Sequence, residues 1–392
     1  MKWICFHSVP HVSGYRLSRE LGALTVGLDE IGEQVEYARF PSRNYQPQRL
    51  TMAITPEQAL DDRWWRGTAA DVVVMMGGGI RLRQYYASVA KSGARLVLRM
   101  DTDGICSPRQ SFQRTYLADR VYYTDRIYSK HPRLAVLFGH TMGFLSAVSK
   151  RSIRPAFDVR MLASWDLAKV LLVESPLALE RLQVWAKGLG FEGLTRKMHW
   201  VGPSVPFKPP LHLPPKQPLI ISVGDWTRYQ KDVENLVASL SIFLRNVPEY
   251  RSLIVGRGAD IVTSLVSREP AQVQTRFSVY GAMSSAELME HYGLSRVHFL
   301  SSRTEGFPNV AAEAACMGCS SVGWGAIAAF DFFHRDGFGS IYHERNPASM
   351  ALALQEETQL WSDNDRKPDS RSLRYRSLFL APEVARRVKG LL

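Results

Sequence analysis

The chain has few of the features that mark several large protein classes. Cysteine occurs only at Cys5, Cys106, Cys316 and Cys319 in 392 residues, which excludes the disulfide framework of a small secreted protein. Cys316 and Cys319 form a C-x-x-C without a second ligand pair, so small core residues are expected there in preference to a zinc or redox site. No apolar run reaches the ~20 residues that a bilayer-spanning helix requires. The longest, residues 134–148, contains His140 and is expected to be a buried helix rather than one that grazes a membrane. The first residues, Met1-Lys-Trp-Ile-Cys-Phe-His, are too soon broken by Pro10 for a signal peptide. No arginine-rich block or basic–aromatic stripe is present, which argues against a nucleic-acid partner. These absences point to a cytoplasmic protein, with peripheral contact at the inner face of a membrane left open.

Positive charge is in excess. Lys and Arg number 49 against 37 Asp and Glu, a net +12, which favours anionic partners such as nucleotides or phospholipid surfaces. Hydrophobic residues at 45% and charged residues at 22% are those of a globular protein, and the length suits two domains.

Both halves alternate strands with helices, the pattern of parallel α/β sheets. Strands are expected at Trp3-Ile-Cys-Phe, Gln34-Val-Glu-Tyr-Ala, Asp71-Val-Val-Val-Met-Met, Arg95-Leu-Val-Leu-Arg-Met and Lys169-Val-Leu-Leu-Val, with a first helix over residues 17–31. Seven prolines between Pro203 and Pro218 forbid regular structure and mark a linker. The pattern restarts with Leu219-Ile-Ile-Ser-Val-Gly224. The expected domains are 1–205 and 206–370, with a basic helix over 371–392 that packs back on the first domain.

The most informative stretch is Glu305-Gly-Phe-Pro-Asn-Val-Ala-Ala-Glu313, between an apolar strand and a helix of small residues. Gly306 permits close approach of a ligand, and Pro308 suits the first helical turn. One acid falls on the loop and the other inside the helix, flanking free N–H groups and a positive dipole end. Such a place suits a polyhydroxylated anionic ligand. Gly77-Gly-Gly79 also follows a strand, but it lacks the full dinucleotide fingerprint, and a loop lining a cleft is the preferred reading. His334-Arg-Asp336 has none of the companions that a kinase catalytic loop requires.

Several of these features, in this order, resemble the retaining GT-B glycosyltransferases of the group 1 type (glycosyltransferase family 4). They are Ser222-Val-Gly224 with Lys231, Leu253-Ile-Val-Gly256-Arg-Gly258, Tyr280-Gly281 before Ser284-Ser-Ala-Glu-Leu288, and Ser301-Ser-Arg-Thr-Glu305-Gly-Phe-Pro with Glu313 and Gly318. The likeness covers residues 218–345; over 1–205 it is architectural only. It implies an α/β GT-B architecture, two Rossmann-like domains facing each other across a cleft. It further implies a nucleotide-sugar donor held by the carboxy-terminal domain and a glycan or lipid-linked acceptor. No cofactor and no metal are expected.

Under this resemblance Glu313 would hold the donor ribose and Glu305 the donor sugar. The Gly306, Phe307, Pro308 and Asn309 stretch would line the sugar or the distal phosphate. Lys231 would neutralise the diphosphate, and Gly14, Gly224, Gly256, Tyr280 and Gly281 would complete the donor site. Two departures stand out. Asp225 occupies the usual arginine position, so Arg228 is expected to supply the missing cation, and Asp232 replaces a glycine and is expected to cap the following helix. On the acceptor side Asp101-Thr-Asp103 ends the strand where a histidine is usual, so Asp103 enters as a candidate catalytic residue. An epimerase or phosphorylase on the same fold, or a non-catalytic sugar-nucleotide-binding partner, are the alternatives.

Overall fold

The computed structural model describes residues 1–7, 20–41, 49–153 and 155–392. Contacts divide the chain into two compact units. One comprises Met1–Gly104, Ile153–Lys208 and Ser377–Leu392; the other comprises Ile105–Ser152 and Pro209–Arg376.

Among the described residues the first unit holds seven strands: β1 (Lys2–His7), β2 (Gln34–Arg39), β3 (Thr51–Ala53), β4 (Val72–Met76), β5 (Arg95–Met100), β6 (Val170–Val173) and β7 (Met198–Trp200). They form one sheet in the order β3-β2-β1-β4-β5-β6-β7, every pair parallel. A parallel sheet is covered on both faces, which is why β4 reads as an unbroken Val-Val-Val-Met-Met rather than as an alternation. Trp3, Cys5, Val74 and Val97 belong to its core, together with Leu24 and Leu28 of the helix Glu20–Glu30 and Val384 and Val388 of the helix Ala381–Gly390. These two helices meet at Gly27, where a Cβ would collide with the Ala381 carbonyl.

The second unit holds six strands: β8 (Gln217–Asp225), β9 (Arg251–Arg257), β10 (Phe277–Tyr280), β11 (Ser295–Phe299), β12 (Ser320–Trp324) and β13 (Gly339–Tyr342). Their order is β10-β9-β8-β11-β12-β13, again all parallel. Chain order runs outward from β8 on one side and resumes at β11 on the other. A crevice therefore opens beyond the carboxyl ends of β8 and β11, the place where doubly wound sheets bind ligands.

The structure departs from the sequence reading in three places. Residues 105–152, expected inside a domain spanning 1–205, cluster with the second sheet. Their helix Phe112–Asp125 reaches the short turn Tyr229–Lys231, where Asp125 Oδ2 accepts from Arg228 Nη2 at 2.8 Å. The expected helix over 371–392 is instead two, Pro368–Phe379 and Ala381–Gly390, and the unit boundary falls at Arg376. Residues 134–148 do lie in a helix, Pro132–Ile153, but Leu134, Leu137, Phe144 and Leu145 are exposed rather than buried. Apolar periodicity shows that a helix has an apolar face; it does not show what covers that face.

Candidate active site

Two loops converge at the switch point of the second sheet. Asp225 ends β8 and the loop after it carries Arg228 and Lys231; the loop after β11 carries Ser302, Arg303 and Glu305. Gln230 fastens one to the other, its Nε2 donating to the Thr304 carbonyl at 2.7 Å while its own carbonyl accepts from Arg303 N at 2.8 Å. Lys231 Nζ lies 2.5 Å from Glu305 Oε1, and Ser302 Oγ donates to the same oxygen at 2.8 Å. The side chains of Lys231 and Glu305 retain only 14% and 12% of their exposure, so this pair is shielded from screening yet still reachable. Ser301 Oγ donates to the Lys231 carbonyl at 2.7 Å, which fixes the lysine's backbone from below.

Asp232 completes this arrangement in an unexpected way. It precedes the helix Val233–Asn246, but its side chain makes no capping bond. Its backbone is left-handed, with φ of 55°, and its carboxylate is buried and paired with both Arg303 and Arg345. The capping role expected for it is therefore replaced by an ionic one. Two guanidinium groups on one buried carboxylate satisfy a charge that would otherwise cost several kcal/mol to desolvate. The Arg303 guanidinium also stacks over the Tyr229 ring, 4.1 Å from its centroid. The result is a largely buried knot of two arginines and one aspartate that ties the loop after β11 to Asp232 and Arg345.

His298, on β11, is fully buried with both ring nitrogens unpartnered. Burial, helped by the charge of Lys231, pushes its pKa down to about 3, so the imidazole is neutral at physiological pH.

The glycines of this face have a steric cause. Gly224 and Gly256 are register partners on β8 and β9, and Gly256 has φ of 143°. A Cβ on Gly256 would land on the Gly224 carbonyl, and one on Gly224 would press on the Trp226 ring at 3.0 Å. Asp225 folds back on its own surroundings. Burial works against its ionisation, but hydrogen bonds from Arg257 and Thr227 outweigh that and hold the carboxyl below its usual range.

The acid pair behaves as two separate sites. Glu313 lies on the helix Asn309–Cys316, where Tyr292 Oη donates to its Oε2 at 3.4 Å. Pro308 occupies the capping position one residue before that helix. Phe307 is buried against Phe332 and Phe333, with ring centroids 6.4 and 5.8 Å away, so only its backbone can face a ligand. Gly306 and Asn309 remain partly accessible at the helix entrance. Tyr280 is half-exposed at the end of the edge strand β10, stacked on His291, with Gly281 exposed beside it.

Other expected residues sit elsewhere. Asp103 belongs to the first unit, where its carbonyl accepts from Arg181 Nη1 at 2.8 Å. Gly14 lies outside the described residues. Cys316 and Cys319 are buried free thiols with raised pKa values, desolvation being the leading cause; Cys319 Sγ lies 3.7 Å from Lys216 Nζ. Among the described residues no three His, Cys, Asp or Glu side chains converge as a metal set. Sequence reasoning did not single out Asp125, Arg120, Arg303 or Arg345. Arg120 donates to Tyr229 Oη at 2.7 Å, across 109 residues of chain, and no local signal announces such a contact.

Comparison with known proteins bears on the fold and on the stretch that carries these loops. Residues 206–360 match the family described as glycosyl transferases group 1. No curated protein matches the chain at a significant level. Among solved structures, sucrose-phosphate synthase from Thermosynechococcus elongatus is similar, with a TM-score of 0.61 at 14% identity over 100% of this chain and 98% of that one. A glycosyltransferase from Rickettsia africae gives 0.63 at 12% identity over 100% and 97%. HepE from Anabaena, solved with UDP-glucose, gives 0.57 at 11% identity over 100% and 98%. At such identities the likeness speaks for the fold, and the family match for the stretch 206–360 alone. The chain has the two-domain α/β architecture of the GT-B fold, and its residues 206–360 match the group 1 glycosyl transferase family.

Proposed function

We propose that this protein transfers a hexose-type sugar from a nucleoside-diphosphate-sugar to a glycan or lipid-linked acceptor, with retention at the anomeric carbon and without a metal. The observation that carries the reading is the Lys231–Glu305 pair at the switch point, braced by Ser302, with Asp232 next to Lys231 held by Arg303 and Arg345. In such a transfer the glycosidic bond to the diphosphate breaks and negative charge gathers on the departing phosphate oxygen. Lys231, with Arg228 beside it, is the group to neutralise that charge, and a fixed cation in a shielded site does so at little reorganisation cost. Glu305 holds Lys231 in place and faces the region where positive charge develops on the sugar ring. Glu313, eight residues on and separately braced by Tyr292, suits the ribose diol, since an ionised carboxylate accepts two hydrogen bonds. Asp103 is assigned to the acceptor side. Uridine nucleotides are the first donors to test, because the similar HepE was solved with UDP-glucose. The four free cysteines favour work in a reducing compartment.

The deciding experiment compares Glu305→Ala and Glu313→Ala with the parent protein, by calorimetry against nucleoside diphosphate sugars and by donor turnover. Glu305→Ala is expected to lower turnover by at least about a hundredfold with donor affinity largely kept. Glu313→Ala is expected to weaken donor binding by roughly tenfold or more. Parental turnover in both variants would overturn the mechanism. Tight binding by the parent with neither hydrolysis nor transfer would make the protein a sugar-nucleotide-binding partner instead.

A further inference from the structure

The helix Pro132–Ile153 is built inside out. Its small residues Ala135, Gly139, Gly143 and Ala147, spaced four apart, are buried. Its large apolar residues Leu134, Leu137, Phe138, Phe144, Leu145 and Val148 are between 37% and 67% exposed. The small ladder lies against the helix Phe112–Asp125: a Cβ on Gly143 would come within 2.7 Å of the Arg120 Cα, and one on Gly139 would strike Thr124. A helix that served only its own core would bury the large residues, because burying a Leu or Phe contributes about 1.5–3 kcal/mol and burying a glycine almost nothing. Contiguous exposed apolar surface of this kind marks a contact with something outside the chain.

Charge identifies the occupant. Residues 105–152 contain eight Lys and Arg against two Asp, a net of +6 from a segment that is an eighth of the chain. Both acids are already neutralised, Asp119 by Lys150 at 2.6 Å and Asp125 by Arg228 at 2.8 Å. The helix Pro132–Ile153 contains no acidic residue. Exposed Arg126, Lys130 and Arg133 flank one end of the apolar stripe, and exposed Arg151 the other. Among the described residues no helix is long and apolar enough to cross a membrane. An apolar stripe bordered by cations on a helix that cannot span is the form that lies in the plane of a lipid surface. We propose that this helix docks the protein on an anionic phospholipid membrane, with its large apolar residues in the acyl boundary and the flanking arginines and lysines on the headgroups. The proposal is independent of the chemistry assigned to the active site, and its test does not read activity.

Flotation with vesicles of phosphatidylcholine alone, and of phosphatidylcholine mixed with phosphatidylglycerol, decides the matter. The parent protein is expected to float with the mixed vesicles only, less so as salt rises. The variant Leu137→Ser/Phe144→Ser/Leu145→Ser is expected to lose at least about tenfold of the bound fraction with its Tm unchanged. Should that variant unfold, Arg126→Glu/Lys130→Glu/Arg133→Glu leaves the stripe intact and is expected to abolish the preference for the anionic vesicles. Failure of the parent to bind mixed vesicles at low salt would overturn the proposal. So would parental binding by both variants, or a dimer in lipid-free solution that the serine variant converts to monomer, which would assign the stripe to a second copy of the chain.

Discussion

At the residue scale the exposed cation of the site is Arg228. The sequence offers it as a replacement for a cation that Asp225 displaces, and the structure gives it a partner: Asp125, which also accepts from Gln230 N at 3.1 Å. Arg228 is half-exposed, and an ion pair with one partner in solvent contributes at most about 1 kcal/mol, so a diphosphate can draw it away cheaply. Two substitutions test this together. Asp125→Asn keeps an oxygen for Gln230 and removes only the competing charge; it is expected to tighten nucleoside-diphosphate binding about two- to fivefold. Arg228→Ala is expected to weaken it by roughly tenfold. Calorimetry reads both, and unchanged affinity in the pair of variants would remove Arg228 from the diphosphate site. Glu305 and Glu313 were legible in the sequence because local rules place them, one after a strand and one within a helix. The fate of Asp232 was not. Its left-handed backbone and two arginine partners depend on Arg303 and Arg345, 71 and 113 residues away.

At the scale of elements, close helix packing in the segment 105–152 rests on two glycines. Helices approach closely only where side chains are missing, and Gly143 faces the backbone of Arg120, which cannot move aside as a flexible side chain would. Gly143→Ala is therefore expected to destabilise this helical pair by about 1–3 kcal/mol, despite alanine's better helix propensity. Hydrogen exchange on the helices Phe112–Asp125 and Pro132–Ile153 would report it as lost protection confined to them; parental protection would mean the pair has room to spare. Strands such as β4, β5, β6 and β8 were legible because each carries a run of apolar residues, whereas β3, β12 and β13, short or interrupted by serine and glycine, were not. The membership of the segment 105–152 was not. Its periodicity announces helices, whereas its attachment to the second sheet depends on Asp125, Arg120 and Tyr128 meeting residues 228–234, more than 100 positions away.

At the scale of the whole chain, an early turn and the last helix are tied through a single carboxylate. Glu33 is nearly buried, and its Oε1 lies 2.5 Å from Lys389 Nζ while its Oε2 accepts from Trp3 Nε1 at 2.9 Å. The Lys389 hydrogen bond, joined by those of the Met1 amino group at 3.0 Å and of Trp3, outweighs burial and holds the pKa at about 2 against an ordinary 4.5. A carboxyl whose folded pKa is depressed stabilises fully above its unfolded pKa and loses that contribution as pH falls towards the folded one. Between pH 5 and pH 2 this group should thus withdraw about 2 kcal/mol, after allowance for solvent screening at half-exposed Lys389. Neutral His298 adds to the same acid sensitivity at higher pH, since its contribution is complete above about pH 6.5 and is lost as pH falls towards 3. Urea midpoints measured across pH 7 to pH 3 would separate the two. Glu33→Gln is expected to lower the midpoint at pH 7 and to flatten only the part of the curve below pH 5, leaving the fall between pH 6.5 and pH 5 to His298. A full acid slope in the variant would show that the docking of the helix Ala381–Gly390 does not depend on this ion pair but on the apolar contact of Val384 and Val388 with Leu24 and Leu28.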